Sequence, residues 1–123
     1  MDAARALADL TEISTQIRDA ALVGADGSLA AGSDRVARAA RELLDAAREV
    51  RPEGALTQAE ASTAGGSLFV VLDGERLVAA TTGPEPTVGL VFYDLKATLR
   101  SVDEEPAPKP RPARRKRVND GET

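Results

Sequence analysis

Apolar residues recur at three- and four-residue intervals in three stretches of the chain, and this spacing predicts three amphipathic helices. The first covers residues 2–18. The second begins after Ser33 and Asp34, which are good N-cap residues, and ends before Pro52. The third follows Thr87, which can cap it. The predicted apolar faces are Leu7, Leu10, Ile13 or Ser14, and Ile17 in the first helix; Val36, Ala40, Leu43, Ala47 and Val50 in the second; and Val88, Val91 or Phe92, Leu95, Leu99 and Val102 in the third.

Short runs between the helical stretches predict five strands. Two of them flank Asp26-Gly27, a dipeptide that favours a two-residue hairpin turn. The other three are separated by turns at Gly65-Gly66 and Asp73-Gly74. The strand at 67–72 is apolar on both faces, so we expect Leu68, Val70 and Leu72 on one buried face and Phe69 and Val71 on the other. The predicted strands are residues 20–25, 28–31, 56–64, 67–72 and 77–82.

The order of these elements predicts an α/β fold of the α+β type. Residues 1–102 would form a five-stranded antiparallel sheet with helices on both faces. From residue 103 the composition changes to three acidic residues, four prolines in alternate positions and the basic run Arg114-Arg115-Lys116-Arg117. Because such a segment has little to bury, residues 103–123 are predicted to be a disordered, Pro-rich charged tail.

Composition limits how this domain can be stabilised. Aromatic residues make up 2% of the 123 residues, so Leu, Val, Ile and Ala must fill the core. Small side chains bury little area each, and association with a second copy would add to stability. The formal net charge is −4, and residues 1–102 carry 10 basic and 15 acidic side chains. An acidic domain is a poor general binder of nucleic acid.

The sequence predicts neither an enzyme nor a cofactor or metal site. Cysteine and histidine are absent, which removes the usual zinc ligands and the usual base or nucleophile near neutral pH. The carboxylates have structural explanations, such as turns at Asp26 and Asp73 and a cap at Asp34. The 65–66 glycines link strand to strand, unlike a phosphate-binding loop. Without cysteines, a signal-like start or an apolar run of about 20 residues, we expect a cytoplasmic protein.

Three segments resemble the Roadblock domain, the family of dynein light-chain roadblock proteins and bacterial regulators of Ras-like GTPases. They are residues 21–29 (ALVGADGSL), 66–71 (GSLFVV) and 88–95 (VGLVFYDL). The resemblance implies a profilin-like/Roadblock fold and a homodimer formed through the second helix and third strand. It also implies binding of a Ras-like small GTPase without a nucleotide site of its own. The short 32–36 loop and the small side chains of the third strand depart from the family pattern.

The candidate interface combines the second helix with the third strand. The apolar stripe of the second helix is wider than packing against one sheet face requires, which favours a role in a dimer. The alternative is that the whole stripe packs on the sheet of its own chain. The third strand has no Lys or Pro to protect an exposed edge. The candidate interface residues are Val36, Ala40, Leu43, Ala47, Val50, Thr57, Ala59 and Ala61.

The function that fits best is a non-catalytic homodimeric regulator or scaffold that binds a Ras-like small GTPase. Two alternatives stay open. One is a small-molecule-sensing α/β domain with a pocket between sheet and helix. The other is a tether to nucleic acid or membrane through the tail. The tail has no interleaved aromatic residue for base stacking, and its prolines oppose an amphipathic membrane helix, so we expect no specific nucleic-acid binding and no membrane insertion.

Overall fold

The computed structural model describes residues 1–103, and the predicted tail beyond them lies outside the described residues. Within this range the elements follow the predicted order of helix, two strands, helix, three strands and helix. The predicted α+β class is therefore confirmed. The elements are α1 (Ala3–Ile13), β1 (Ile17–Val23), β2 (Leu29–Gly32), α2 (Asp34–Val50), β3 (Gln58–Thr63), β4 (Gly66–Asp73), β5 (Arg76–Thr82) and α3 (Val88–Asp103).

The strands form one antiparallel sheet in the order β2-β1-β5-β4-β3, so β2 and β3 are its two edges. β4 and β5 form a hairpin in which Asp73 pairs with Arg76. Gly74 has φ 63°, a left-handed conformation that glycine adopts without strain. The tight turn predicted to start at Asp73-Gly74 is present, and its two central residues are Gly74 and Glu75.

Helices cover both faces of the sheet. α1 and α3 pack together on one face, where Phe69 and Phe92 meet edge to face with ring centroids 5.1 Å apart. α2 packs alone on the other face. The side chains of β4 alternate as predicted, with Phe69 and Val71 toward α1 and α3. Leu68, Val70 and Leu72 face α2, but Leu68 and Leu72 are only half-buried. The single helix thus leaves part of its sheet face uncovered.

The first helix is shorter than the spacing predicted. It ends at Ile13, and the backbone N–H of Ser14 caps it by donating to the Leu10 carbonyl. Ile17, predicted on the helix face, is instead the first residue of β1 and is buried there. Ser14 is buried, while Ile13 is 74% exposed. The prediction was wrong because Ile17 lies four positions after Ile13. It therefore fits the helical spacing, although it is buried as a residue of a strand.

The first hairpin also differs from the prediction. Val23 pairs with Leu29, so residues 24–28 form a five-residue loop instead of a two-residue turn at Asp26-Gly27. The Asp26 carboxylate accepts hydrogen bonds from the backbone N–H of Ser28 at 3.0 Å and from its hydroxyl at 2.8 Å. These bonds, the backbone one first, lower the pKa of Asp26. Asp26 therefore has a structural role in the loop.

The third strand is shorter than predicted, at Gln58–Thr63, and Thr63 pairs with Gly66. The connecting turn is therefore Ala64-Gly65, one residue earlier than expected. In the third helix, Val91, Leu95 and Leu99 are buried as predicted. Val88, also predicted on that apolar face, is exposed in the first turn. None of the helices within residues 1–103 has the length and apolar character needed to cross a membrane.

Candidate interaction surface

One side of α2 belongs to the core of the domain. Val36, Ala37, Ala40 and Leu44 are buried against the sheet, with 5% of Val36 and 0% of Ala40 exposed. Val36 and Ala40, both predicted as interface residues, thus lie in the core of the folded monomer. Both residues stabilise the chain's own core, since the sheet already covers them.

A second apolar stripe runs along α2 beside the buried one. It consists of Ala39, Leu43, Ala46 and Val50, spaced by four, three and four residues, and we call it the outer flank. Ala39 and Ala46 are exposed, Leu43 is half-buried, and Val50 is 76% exposed. Ala47, also a candidate, is half-buried between the two stripes. The apolar part of α2 is thus wider than the part that the sheet covers.

Contacts on either side of α2 show where the outer flank points. Ala39 lines a cavity with Leu68 of β4. Leu43 and Ala59 of β3 both pack against the core cluster between α2 and the sheet, and α2 contacts β3 as well as β4. On the opposite side of the helix, the Arg41 guanidinium donates to the Gly27 carbonyl in the first hairpin loop. The outer flank therefore borders β3 and β4, and points away from the β1–β2 hairpin.

The strand next to the outer flank is an edge of the sheet. β3 pairs only with β4 among the described residues, which leaves the hydrogen-bonding groups of its other side without a strand partner. Its sequence, Gln-Ala-Glu-Ala-Ser-Thr, has no Lys or Pro to discourage pairing with another chain. β3 is six residues long, against four for the opposite edge strand β2.

The candidate residues near β3 divide into two groups. Ala59 and Ala61 are half-buried and pair with Val70 and Leu68, on the face of the sheet that carries α2. Thr57 lies before the strand, is exposed, and lines a cavity beside α3. The structure thus brings Ala59 and Ala61 together with the outer flank, and places Thr57 at the α3 side.

Sequence reasoning missed two members of this surface, Ala39 and Ala46. The signal was present, because residues 39, 43, 46 and 50 have the four-three-four spacing of a helix–helix contact. From here on, the interaction surface means the outer flank together with the free edge of β3 and the side chains of Ala59 and Ala61.

Ion pairs on α2 are local and exposed. Arg38 pairs with Asp34 at 3.0 Å, and Arg48 with Asp45 at 3.9 Å. Such pairs contribute on the order of 0.3–0.5 kcal/mol each. They therefore add little to the stability of the helix, and they leave the outer flank apolar.

Cavities in the domain do not resemble an enclosed ligand site. A cavity of about 440 Å³ lies at the start of α2, lined by Val36, Ala39 and Leu68 but also by Arg18, Asp19 and Arg35. One of about 240 Å³ lies between α3 and the end of β4. Ligand pockets are mostly apolar with a few converging polar groups. No three acidic side chains within residues 1–103 are placed to hold a metal ion.

Comparison with known proteins identifies the fold. No protein-family model matches the sequence, and no curated protein is similar enough to match it. The solved Roadblock/LC7 domain from Streptomyces avermitilis does match, with a TM-score of 0.70, 20% identity, and coverage of 84% of this chain and 96% of that one. This chain has the Roadblock/LC7 fold. The fold prediction made from the three sequence segments is confirmed.

Two further structures share the Roadblock/LC7 architecture more distantly. MglB with a tetrameric arrangement has a TM-score of 0.61 and 19% identity, and the match covers 80% of this chain and 85% of that one. LokiProfilin2 in complex with rabbit actin has a TM-score of 0.57 and 11% identity, covering 82% and 96%. At these identities the likeness establishes the fold, and function has to be argued from the surface of this chain.

Proposed function

We propose that this protein is a non-catalytic homodimeric regulator or scaffold that binds a Ras-like small GTPase. The observation that carries the proposal is the interaction surface, where an exposed apolar stripe on α2 lies beside a free six-residue strand edge. Exposed apolar surface next to unpaired backbone groups is typical of a surface that another chain covers.

A second copy fits this surface because the same elements can meet across a two-fold axis. Two β3 edges can pair through their backbone groups, while two outer flanks pack together above the joined sheet. A stable interface buries about 1,200–2,000 Å², which is more than one helix stripe supplies, so strand and helix act together. The tetrameric arrangement of MglB supports oligomerisation in this fold.

The GTPase part of the proposal rests on the fold and on the roles of the acidic residues. The fold is that of the Roadblock/LC7 domain, and the resemblance of residues 21–29, 66–71 and 88–95 to the Roadblock family implies a Ras-like GTPase as partner. In this chain, acidic groups are engaged in local structure: Asp2 accepts from the N–H of Arg5, Asp34 pairs with Arg38, and Asp73 pairs with Arg76. These roles favour action by binding over catalysis by carboxylates.

The dimer is tested by placing a charge on the outer flank. Light scattering should report a dimer for the parent at micromolar concentration and a folded monomer for Ala46→Glu, because an unpaired charge in an apolar contact costs several kcal/mol. Ala46 serves better than Ala47, since it is exposed and its replacement should not disturb the core. Ala8→Glu, at an exposed position of α1 on the other face, is the matched control and should stay dimeric. A parent that is monomeric at high concentration would contradict the dimer.

The GTPase partner is tested with the immobilised full chain. Lysate is supplied either with a non-hydrolysable GTP analogue or with GDP, and captured proteins are identified by mass spectrometry. We expect a Ras-like GTPase whose recovery depends on the nucleotide, and weaker recovery by Ala46→Glu if the dimer forms the binding surface. Recovery of nucleic acid alone, or of actin without a GTPase, would contradict this assignment.

A further inference from the structure

We propose that the cavity at the start of α2 binds a small organic phosphate, whose phosphate group lies between the guanidinium groups of Arg18 and Arg35. We call these two residues the arginine pair, and the cavity of about 440 Å³ that they line the cleft. The site would be formed by one chain and is separate from the binding of a second copy or a GTPase.

The arginine pair brings two positive charges to one place in an acidic domain. Arg18 belongs to β1 and Arg35 to the first turn of α2, and both line the cleft. Within residues 1–103 neither guanidinium forms an ion pair or a hydrogen bond. The positive end of the α2 dipole adds to their charge. Two uncompensated guanidinium groups are well suited to bind the oxygens of an anion.

No carboxylate within residues 1–103 forms an ion pair with the arginine pair. Asp19 also lines the cleft, but its carboxylate accepts the backbone N–H of Ala20 at 2.9 Å. Asp34, the first residue of α2, pairs with Arg38 at 3.0 Å. Glu85 lines a neighbouring cavity and forms no ion pair with the arginine pair either. Both guanidinium groups therefore remain for a ligand.

The position of Arg18 depends on the absence of a side chain at Gly83. A Cβ built on Gly83 would lie 2.6 Å from Nη2 of Arg18 and 3.0 Å from its Cζ. The guanidinium therefore lies directly against the backbone that follows β5, next to Thr82 in the lining of the cleft. Packing against the backbone restricts the side chain, which lowers the entropy lost when it binds a ligand.

The remaining walls of the cleft indicate the kind of anion. Val36, Ala39 and Leu68 supply an apolar wall, and Thr81 a hydroxyl group. The volume lies within the range of about 300–1,000 Å³ that ligand sites have, and it leaves room for an apolar body beside a phosphate group. A phosphate monoester has three strong acceptor oxygens and can engage two guanidinium groups at once. Because both arginines are exposed, charge and not enclosure would hold the ligand.

Titration of the isotope-labelled full chain, followed by NMR at constant ionic strength, tests the ligand class. The probes are phenyl phosphate, inorganic phosphate and benzoate. Phenyl phosphate should bind with a dissociation constant of about 1 mM and shift the amide signals of the cleft residues. Inorganic phosphate lacks the apolar body and benzoate the third oxygen, so each should bind at least about 5-fold more weakly. Equal affinity for either of them would overturn the assignment to an organic phosphate.

Variants of the cleft test which residues bind the phosphate. Arg18→Gln and Arg35→Gln should each weaken the binding of phenyl phosphate about 10-fold, and their exposed positions should leave the fold intact. Arg48→Gln, near the other end of α2, is the matched control and should bind like the parent.

Gly83→Ala tests the position of Arg18 without removing a charge. The added Cβ would displace the guanidinium and should weaken the binding of phenyl phosphate about 3-fold. The melting temperature should stay unchanged, because the clash is with the end of a flexible side chain. Binding as tight as in the parent would contradict the arrangement of Arg18 against Gly83. This variant also keeps the site testable should an arginine variant lose its circular dichroism.

The outcomes separate this site from the proposed function. Ala39 belongs to the outer flank as well as to the cleft, so the titration is repeated with Ala46→Glu, which should bind phenyl phosphate as tightly as the parent. Clearly weaker binding by Ala46→Glu would contradict a site formed by one chain. The absence of saturable shifts up to about 20 mM phenyl phosphate, or an affinity unchanged in both arginine variants, would overturn the site while the proposed function stands.

Discussion

At the scale of single residues, Gly32 shows how closely three elements approach each other. It ends β2 with φ 93°, and a Cβ built on it would lie 2.3 Å from the carbonyl oxygen of Ala20 and 2.6 Å from Cδ2 of Leu7. The next residue, Ser33, donates its backbone N–H to the same Ala20 carbonyl at 2.9 Å. The α1 layer, the sheet and the start of α2 therefore meet at a position with no room for a side chain.

Replacing Gly32 with Ala should lower the free energy of unfolding by about 3 kcal/mol or more. The left-handed conformation costs about 1–2 kcal/mol, and the clash adds an overpacking penalty of about 1–3 kcal/mol. Gly27→Ala is the matched control, because Gly27 has φ 86° but nothing within 4 Å of its added Cβ. It should lose only about 1 kcal/mol. Urea unfolding measures both, and equal losses would contradict the close approach.

At the scale of elements, the order of helices and strands could be predicted because the hydrophobic period changes cleanly from about 3.6 to 2 and back. Element ends were harder to predict. Ile17 satisfies the helical spacing of α1 and yet begins β1. An apolar residue at this position is compatible with burial in a helix and with burial in a strand, so the sequence does not distinguish the two. The loop after β1 was misjudged because Asp26-Gly27 fits a two-residue turn, whereas Gly24 begins the loop earlier.

The interaction surface was only partly predictable for a physical reason. The apolar positions of α2 span about half of its circumference, and periodicity does not tell which half of that span faces the chain's own sheet. Val36 and Ala40 were assigned to a partner but are buried in the core, while Ala39 and Ala46 were overlooked. Only the position of the helix, which lies mainly over β1 and β5 and meets β3 and β4 along one flank, separates the two roles.

The N-cap of α2 gives a prediction at this scale. The Ser33 hydroxyl accepts a hydrogen bond from the backbone N–H of Val36 at 3.2 Å, as the sequence predicted. Ser33→Ala should therefore reduce the free energy of unfolding by about 1 kcal/mol. Ser33→Asp keeps an acceptor at the helix N-terminus and should retain most of that stability. Urea unfolding at one fixed protein concentration measures both, and an equal loss for Ala and Asp would argue against the cap.

At the scale of the whole molecule, small side chains link the fold to its association. Ala21, Ala37, Ala40 and Ala79 are fully buried where α2 meets the sheet, so helix and sheet approach closely but bury little area per residue. Covering the interaction surface therefore adds a larger share of the total stability in this domain than it would in a domain whose core is filled with aromatic residues. Stability that rises with protein concentration is the expected consequence of a dimer.

The segment beyond residue 103 gives the last prediction. Residues 104–123 contain mainly charged residues, prolines and alanines, with Val118 as their one larger apolar side chain. Because they have little apolar surface to bury, removing them should change the melting temperature by less than about 2 °C. For a domain of this size about 1 kcal/mol shifts the melting temperature by roughly 4–8 °C, so calorimetry would detect even a weak contribution.

Comparing the full chain with residues 1–103 at matched concentration also shows whether the dimer depends on the segment. If truncation lowers the melting temperature by several degrees in Ala46→Glu as well as in the parent, the segment docks on its own domain. If truncation lowers the melting temperature only in the dimeric parent, the segment contributes to the dimer interface.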